Sequence, residues 1–154
     1  MADWVVVGMS DIAFDLAARY CDAERAYACS LLHIGTAEVV DAVASDDIAD
    51  PVARGIHATA RVLLDRGRPV DPVTLVLEAV STLPGRWTEH VPKVACHPGA
   101  VPVNWPTYAA AVREGAYRRR AVAVAERIVQ AAETSTVDRL AEVLRSAAGL
   151  AVSL

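Results

Sequence analysis

The sequence predicts an all-α fold in which a small globular helical bundle is followed by a long antiparallel helical hairpin. Apolar residues recur at three- and four-residue spacing along nearly the whole chain, which is the period of an amphipathic helix. Capping residues and Asp–Pro pairs mark the helix starts, and no segment alternates as a strand would. With 154 residues, 54% of them hydrophobic, the chain can bury one core and is not disordered by composition.

The first third of the chain is predicted to hold three short helices. We interpret residues 4–7 as an extended arm and residues 10–20 as a first amphipathic helix. A second helix spans residues 22–34 and stops at Gly35, since glycine readily adopts the left-handed conformation that ends helices. Thr36 is expected to cap the third.

Two Asp–Pro pairs mark the next helix starts. Asp50 before Pro51 and Asp71 before Pro72 each place a capping carboxylate ahead of a proline at the first helical position, where its missing N–H costs nothing. The first of these helices should run to Gly67, and the second should end at Pro84 and Gly85, followed by a weaker helical turn between residues 87 and 95. The helix that begins at Pro72 is predicted to bury four apolar residues: Val73, Val76, Leu77 and Val80.

The longest periodic stretch follows a loop at residues 97–104. A helix is predicted from Asn104 to about Glu133, and a capping box formed by Ser135 and Asp138 begins the last helix. We therefore divide the chain into an N-terminal extension with a short helix (1–21), a globular helical bundle (22–103) and a helical hairpin (104–154).

The hairpin carries an aliphatic seam at heptad-like spacing. Two helices have too little partner surface to bury such a seam, so we expect it to pair with a second copy of the chain around a two-fold axis. The alternative is that the seam folds back onto the bundle. The residues assigned to self-association are Val122, Ala125, Val129, Leu140 and Leu144.

One basic cluster stands out in the long helix. It consists of Arg113, Arg118, Arg119, Arg120 and Arg127, and it is assigned as a contact for DNA phosphates or for an acidic protein surface. A solvated helix face is the alternative. The net charge of -4 argues against a dedicated nucleic-acid binder.

Composition predicts neither a metal nor a cofactor, and no membrane span. The three cysteines and four histidines lack zinc-like spacing, so we expect buried free thiols. The longest apolar run, at residues 4–9, is far shorter than the roughly 20 residues that span a bilayer. Because the N-terminus lacks the basic segment of a secretion signal, a cytoplasmic location is expected.

Three segments resemble the N-terminal domain of DnaB-type bacterial and phage replicative DNA helicases. Residues 22–32 (DAERAYACSLL) are similar to the opening helix of that family. Residues 46–75 (DDIADPVARGIHATARVLLDRGRPVDPVTL) resemble its acidic pair, its Pro-started helix and the start of the next helix. Residues 104–132 (NWPTYAAAVREGAYRRRAVAVAERIVQAA) resemble its long first hairpin helix.

The resemblance implies a non-enzymatic domain of DNA replication, either stand-alone or excised from a helicase. Domains of this family pair into dimers or rings of dimers and dock primase, so the implied partners are a second copy, a replicative helicase and primase. No GxxxxGK[ST] phosphate loop is found, so no ATPase activity is expected. Two alternatives remain open: a nucleic-acid-binding module using the arginine cluster, and a primase-tail-like adaptor that binds a helicase.

Overall fold

The computed structural model of the chain describes residues 3–82 and 86–152, and no strand occurs within these ranges. Seven α-helices follow one another, with short 3₁₀ turns at Ser45–Asp47, Arg86–His90 and Pro102–Asn104. The predicted all-α fold is confirmed. The helices are α1 (Asp3–Ile34), α2 (Ala37–Asp41), α3 (Pro51–Asp65), α4 (Pro72–Thr82), α5 (Val91–Ala95), α6 (Trp105–Thr134) and α7 (Val137–Val152).

The chain forms two compact units. One, the globular unit, comprises residues 17–116. The other, the hairpin unit, combines the first part of α1, up to Leu16, with the chain from Tyr117 onward. Helices α1 and α6 therefore each contribute to both units. Among the described residues, no helix is long and apolar enough to cross a membrane.

The second part of α1 forms the centre of the globular unit. Every residue from 26 to 32 is buried, so this helix is covered on all sides by α2, α3, α5 and the start of α6. Tyr27 is fully buried and donates its hydroxyl to the Val39 carbonyl at 2.5 Å, while burial raises the pKa of that hydroxyl. Gly35 ends the helix at φ 60°, as predicted, and a Cβ there would lie 2.7 Å from the Val70 carbonyl oxygen.

Both Asp–Pro helix starts are confirmed. The Asp50 carboxylate accepts from the Ala53 N–H at 2.9 Å. The Asp71 carboxylate accepts from the N–H groups of Val73 and Thr74 at 2.9 and 3.0 Å. The Thr74 hydroxyl also donates to Asp71, and these hydrogen bonds lower the pKa of that carboxyl.

Several predicted details at the N-terminus and at the hairpin turn are wrong. The arm at residues 4–7 and the helices at 10–20 and 22–34 form one continuous helix, because no proline interrupts them and each peptide group can bond to the preceding turn. The cap of α7 is Thr136 rather than Ser135: its hydroxyl accepts from the Arg139 N–H at 3.5 Å. The predicted stop at Pro84 and Gly85 lies outside the described residues.

The predicted orientation of α4 is also wrong in part. Val73, Leu77 and Val80 are 70%, 65% and 65% exposed, whereas Leu75 and Glu78 are buried. The buried Glu78 carboxylate accepts from the guanidinium groups of Arg66 and Arg68, which follow the end of α3. These two ion pairs compensate the burial of the carboxylate, and they hold α4 with its more apolar stripe facing outward.

A buried histidine makes the stability of the globular unit depend on pH. His57 on α3 is only 3% exposed, and its Nε2 lies 3.0 Å from the Val40 carbonyl and so carries the proton. Burial lowers the pKa of this imidazole below 6.5, although the bond to Val40 opposes the shift. Well above pH 6.5 the imidazole is mostly neutral in both the folded and the unfolded chain.

Below pH 6.5 we expect the free energy of unfolding to fall, because only the unfolded chain takes up the proton. The slope attributable to His57 is at most about 1.4 kcal/mol per pH unit. Urea unfolding between pH 7 and pH 5 tests this. His57→Gln, which keeps a donor for the Val40 carbonyl, should flatten the profile. Equal slopes in the wild type and in His57→Gln would contradict the expectation.

Candidate protein interaction site

Helices α6 and α7 form the antiparallel hairpin, joined by the two residues Ser135 and Thr136. A groove of about 470 Å³ runs between them. On α7, Arg139 forms an ion pair with Glu142 at 2.5 Å, which places charge along the groove. Its lining mixes charged, polar and small apolar side chains: Val124, Arg127, Gln130, Ala131, Thr134, Ser135, Arg139, Glu142, Val143, Ser146 and Ala147.

The predicted seam does not line this groove. Successive residues of an α-helix are about 100° apart, so Val122, Ala125 and Val129 lie on the side of α6 nearly opposite to the groove-lining residues Val124 and Ala131. All three seam residues of α6 are half-buried within the hairpin unit. They form one continuous stripe, as the spacing predicts.

The matching stripe on α7 is more exposed. Leu140 is half-buried and Leu144 is 46% exposed, and neither lines the groove. Val137, which was not among the assigned site residues, shares their face at i, i+3 and i+7 and is 82% exposed. Its place in the same repeat is the signal that extends the site to the start of α7. The aliphatic stripe is hereafter Val122, Ala125 and Val129 of α6 with Val137, Leu140 and Leu144 of α7.

The predicted arginine cluster is divided. Arg113 belongs to the globular unit, where its guanidinium donates to the Ala42 carbonyl at 2.8 Å. Arg118, Arg119 and Arg120 belong to the hairpin unit and, being consecutive, point in three directions around the helix. Arg127 lines the groove and donates to the Ala123 carbonyl at 3.4 Å. The five arginines therefore do not share one helix face.

The cysteines and histidines are dispersed. Cys29 is buried and donates to the Ala95 carbonyl at 3.5 Å, and burial raises the pKa of its thiol. Cys21 is partly buried, and Cys96 is exposed, unlike the buried thiol that was expected. In the part of the chain that the structure describes, no three His, Cys, Asp or Glu side chains are grouped so as to hold a metal ion.

No protein-family model matches the chain, and no curated protein matches its sequence. Among solved structures, the chain is similar to the N-terminal domain of DnaB helicase from Mycobacterium tuberculosis, with 22% sequence identity and a TM-score of 0.71. The superposition covers 86% of this chain and 96% of that one. This superposition shows that the chain has the fold of the N-terminal domain of a DnaB helicase.

Proposed function

We propose that the chain is a non-catalytic interaction domain of the DNA replication machinery, related to replicative helicases, and that it self-associates through its hairpin. The observation that carries the proposal is the aliphatic stripe, in which Val137 and Leu144 of α7 are 82% and 46% exposed. A contiguous exposed apolar stripe commonly marks a protein interface. The fold shared with a DnaB helicase domain supports the replication role.

The order of residues on α6 suits a two-fold pairing. When two copies of α6 run antiparallel about an axis between Ala125 and Glu126, Val122 of one copy lies opposite Val129 of the other. The same register sets Arg118 of one copy opposite Glu133 of the other, on the same helix face, and both residues are exposed. An isologous interface makes each contact twice, so apolar contacts at the centre are flanked by two opposite-charge pairs.

We expect light scattering across a concentration series to give a mass that is a multiple of 16.3 kDa. Leu140→Asp combined with Leu144→Asp should reduce it to the monomer mass, because two carboxylates would be buried without partners. Arg145→Asp is the matched control: it changes the net charge by the same amount, and it lies one residue beyond Leu144 on a different face. Circular dichroism verifies that both variants remain helical.

The register itself has a separate test. Glu133→Arg and Arg118→Glu should each weaken the dimer about two- to fivefold, and the double exchange should restore it, because exposed ion pairs contribute modestly. A wild-type monomer at every concentration would overturn self-association and favour an adaptor that binds a helicase. A dimer that survives the Leu140 and Leu144 exchanges would overturn the assignment of its surface.

A further inference from the structure

A second recess lies in the globular unit, far along the chain from the hairpin turn. It has a volume of about 290 Å³ and is lined by residues of α1, the start of α3, and α5 with the loop that follows it. Its wall includes Arg25, His90, Lys93 and His97, with Asp22 as the single carboxylate. Val52 and Val94, which are 7% and 4% exposed, supply an apolar floor.

Two side chains of the wall, Arg25 and His97, each contact a neighbouring group at hydrogen-bond distance. Arg25 donates to the Asp50 carboxylate at 3.1 Å, and that carboxylate is only 6% exposed, whereas the Arg25 side chain is 46% exposed. A guanidinium has five N–H donors in a fixed fork, so this bond orients Arg25 and leaves further N–H donors on a side chain that lines the recess. The Nδ1 atom of His97 lies 3.0 Å from the Pro98 carbonyl oxygen, and its Nε2 lies 3.2 Å from an Asp22 carboxylate oxygen.

Lys93 is the free cation of the recess. It is exposed on α5, and among the described residues it has no ion pair or hydrogen bond. Asp22, the only carboxylate among the described residues of the wall, is 88% exposed and lies 3.2 Å from Nε2 of His97. An anion that enters the recess therefore meets the ammonium of Lys93 and the side chain of Arg25, which also pairs with Asp50, above an apolar floor.

We propose that this recess binds an acidic peptide segment, taking one Asp or Glu carboxylate at Lys93 and Arg25 and an adjacent apolar side chain against Val52 and Val94. A volume of about 290 Å³ suits one or two side chains. A nucleic acid is the poorer fit, because the net charge of the chain is -4 and no Phe, Tyr or Trp lines the recess for base stacking. No described residue of the hairpin lines this recess, so peptide binding can be tested separately from self-association.

The test is a titration of the whole chain, followed by its backbone amide NMR signals, with a capped hexapeptide containing two glutamates flanked by leucines. We expect saturable shifts at Lys93, Val94 and His97. Lys93→Gln should weaken binding about two- to fivefold. Arg86→Gln is the control: it removes one positive charge from a side chain that is 93% exposed in the neighbouring 3₁₀ turn and does not line the recess.

Two further probes distinguish binding of a glutamate peptide from binding of any peptide and from binding of any anion. The same peptide with glutamines should not shift these signals, and inorganic phosphate alone should bind more weakly than the glutamate peptide, because it leaves the apolar floor empty. Equal weakening by Lys93→Gln and Arg86→Gln, equal shifts from the glutamine peptide, or phosphate binding as tightly as the peptide would each overturn the proposal. So would the absence of shifts at the recess.

Discussion

Replacing Asp50 by alanine is expected to lower the free energy of unfolding by about 2 to 3 kcal/mol. Its buried carboxylate caps α3 at the Ala53 N–H and accepts from Arg25 at 3.1 Å and from the Cys21 thiol at 3.6 Å. The exchange removes all three bonds at once, and it leaves a buried N–H without a partner. Urea denaturation monitored by circular dichroism measures the loss.

Asp71→Ala is the matched control for Asp50→Ala. Asp71 also precedes a proline and caps its helix, through Val73 and Thr74. Its hydrogen bonds all lie within the first turn of α4, so it does not connect two helices as Asp50 does. We expect a loss of about 1 kcal/mol or less. Equal losses at the two positions would contradict the role of Asp50 as a junction between α1 and α3, and would reduce it to a helix cap.

The same substitution, glycine to alanine, is expected to have opposite effects at two helical positions. Gly55 lies in the middle of α3, and a Cβ there would lie 2.5 Å from the nearest atom of the Trp87 ring. Gly55→Ala should therefore lower the free energy of unfolding by about 1 to 3 kcal/mol through overpacking. Gly149 in α7 has open space around its Cα, so Gly149→Ala should raise it by about 0.5 to 1 kcal/mol.

A double-mutant cycle identifies the cause of the loss at Gly55. Trp87→Leu removes the ring that a Cβ would meet, so Gly55→Ala should cost much less in that background. Thermal or urea unfolding of the four proteins provides the coupling energy. Additive losses would show that the ring is not the reason for the glycine.

The sequence predicts which residues of α6 share a face, but it does not predict which face lines the groove against α7. The repeat of Val122, Ala125 and Val129 correctly places these three on one face of α6, because helical periodicity depends only on local geometry. Which face of the hairpin meets α7 depends on packing between helices. The groove instead involves Val124 and Ala131, which the spacing of the apolar residues does not indicate.

The recess beside Lys93 had no signal in the sequence. Its lining comes from positions 22–25, 52 and 90–98, which are brought together only when α1, α3 and α5 pack. The arginine cluster is the converse case. Its members are neighbours in sequence, yet the helical rotation and the two compact units separate them, with Arg113 bonded to Ala42 in the globular unit.

Local chemistry in the sequence by itself determined the helical class, the two Asp–Pro helix starts and the glycine stop at Gly35, because capping and left-handed turns involve only adjacent residues. Only the tertiary structure decided which face of α4 is buried. Val73 and Leu77 are exposed, whereas Glu78 is buried. The Glu78 carboxylate can be buried because Arg66 and Arg68 pair with it. These pairings join groups 12 and 10 residues apart, across the loop between α3 and α4, and helical periodicity does not predict them.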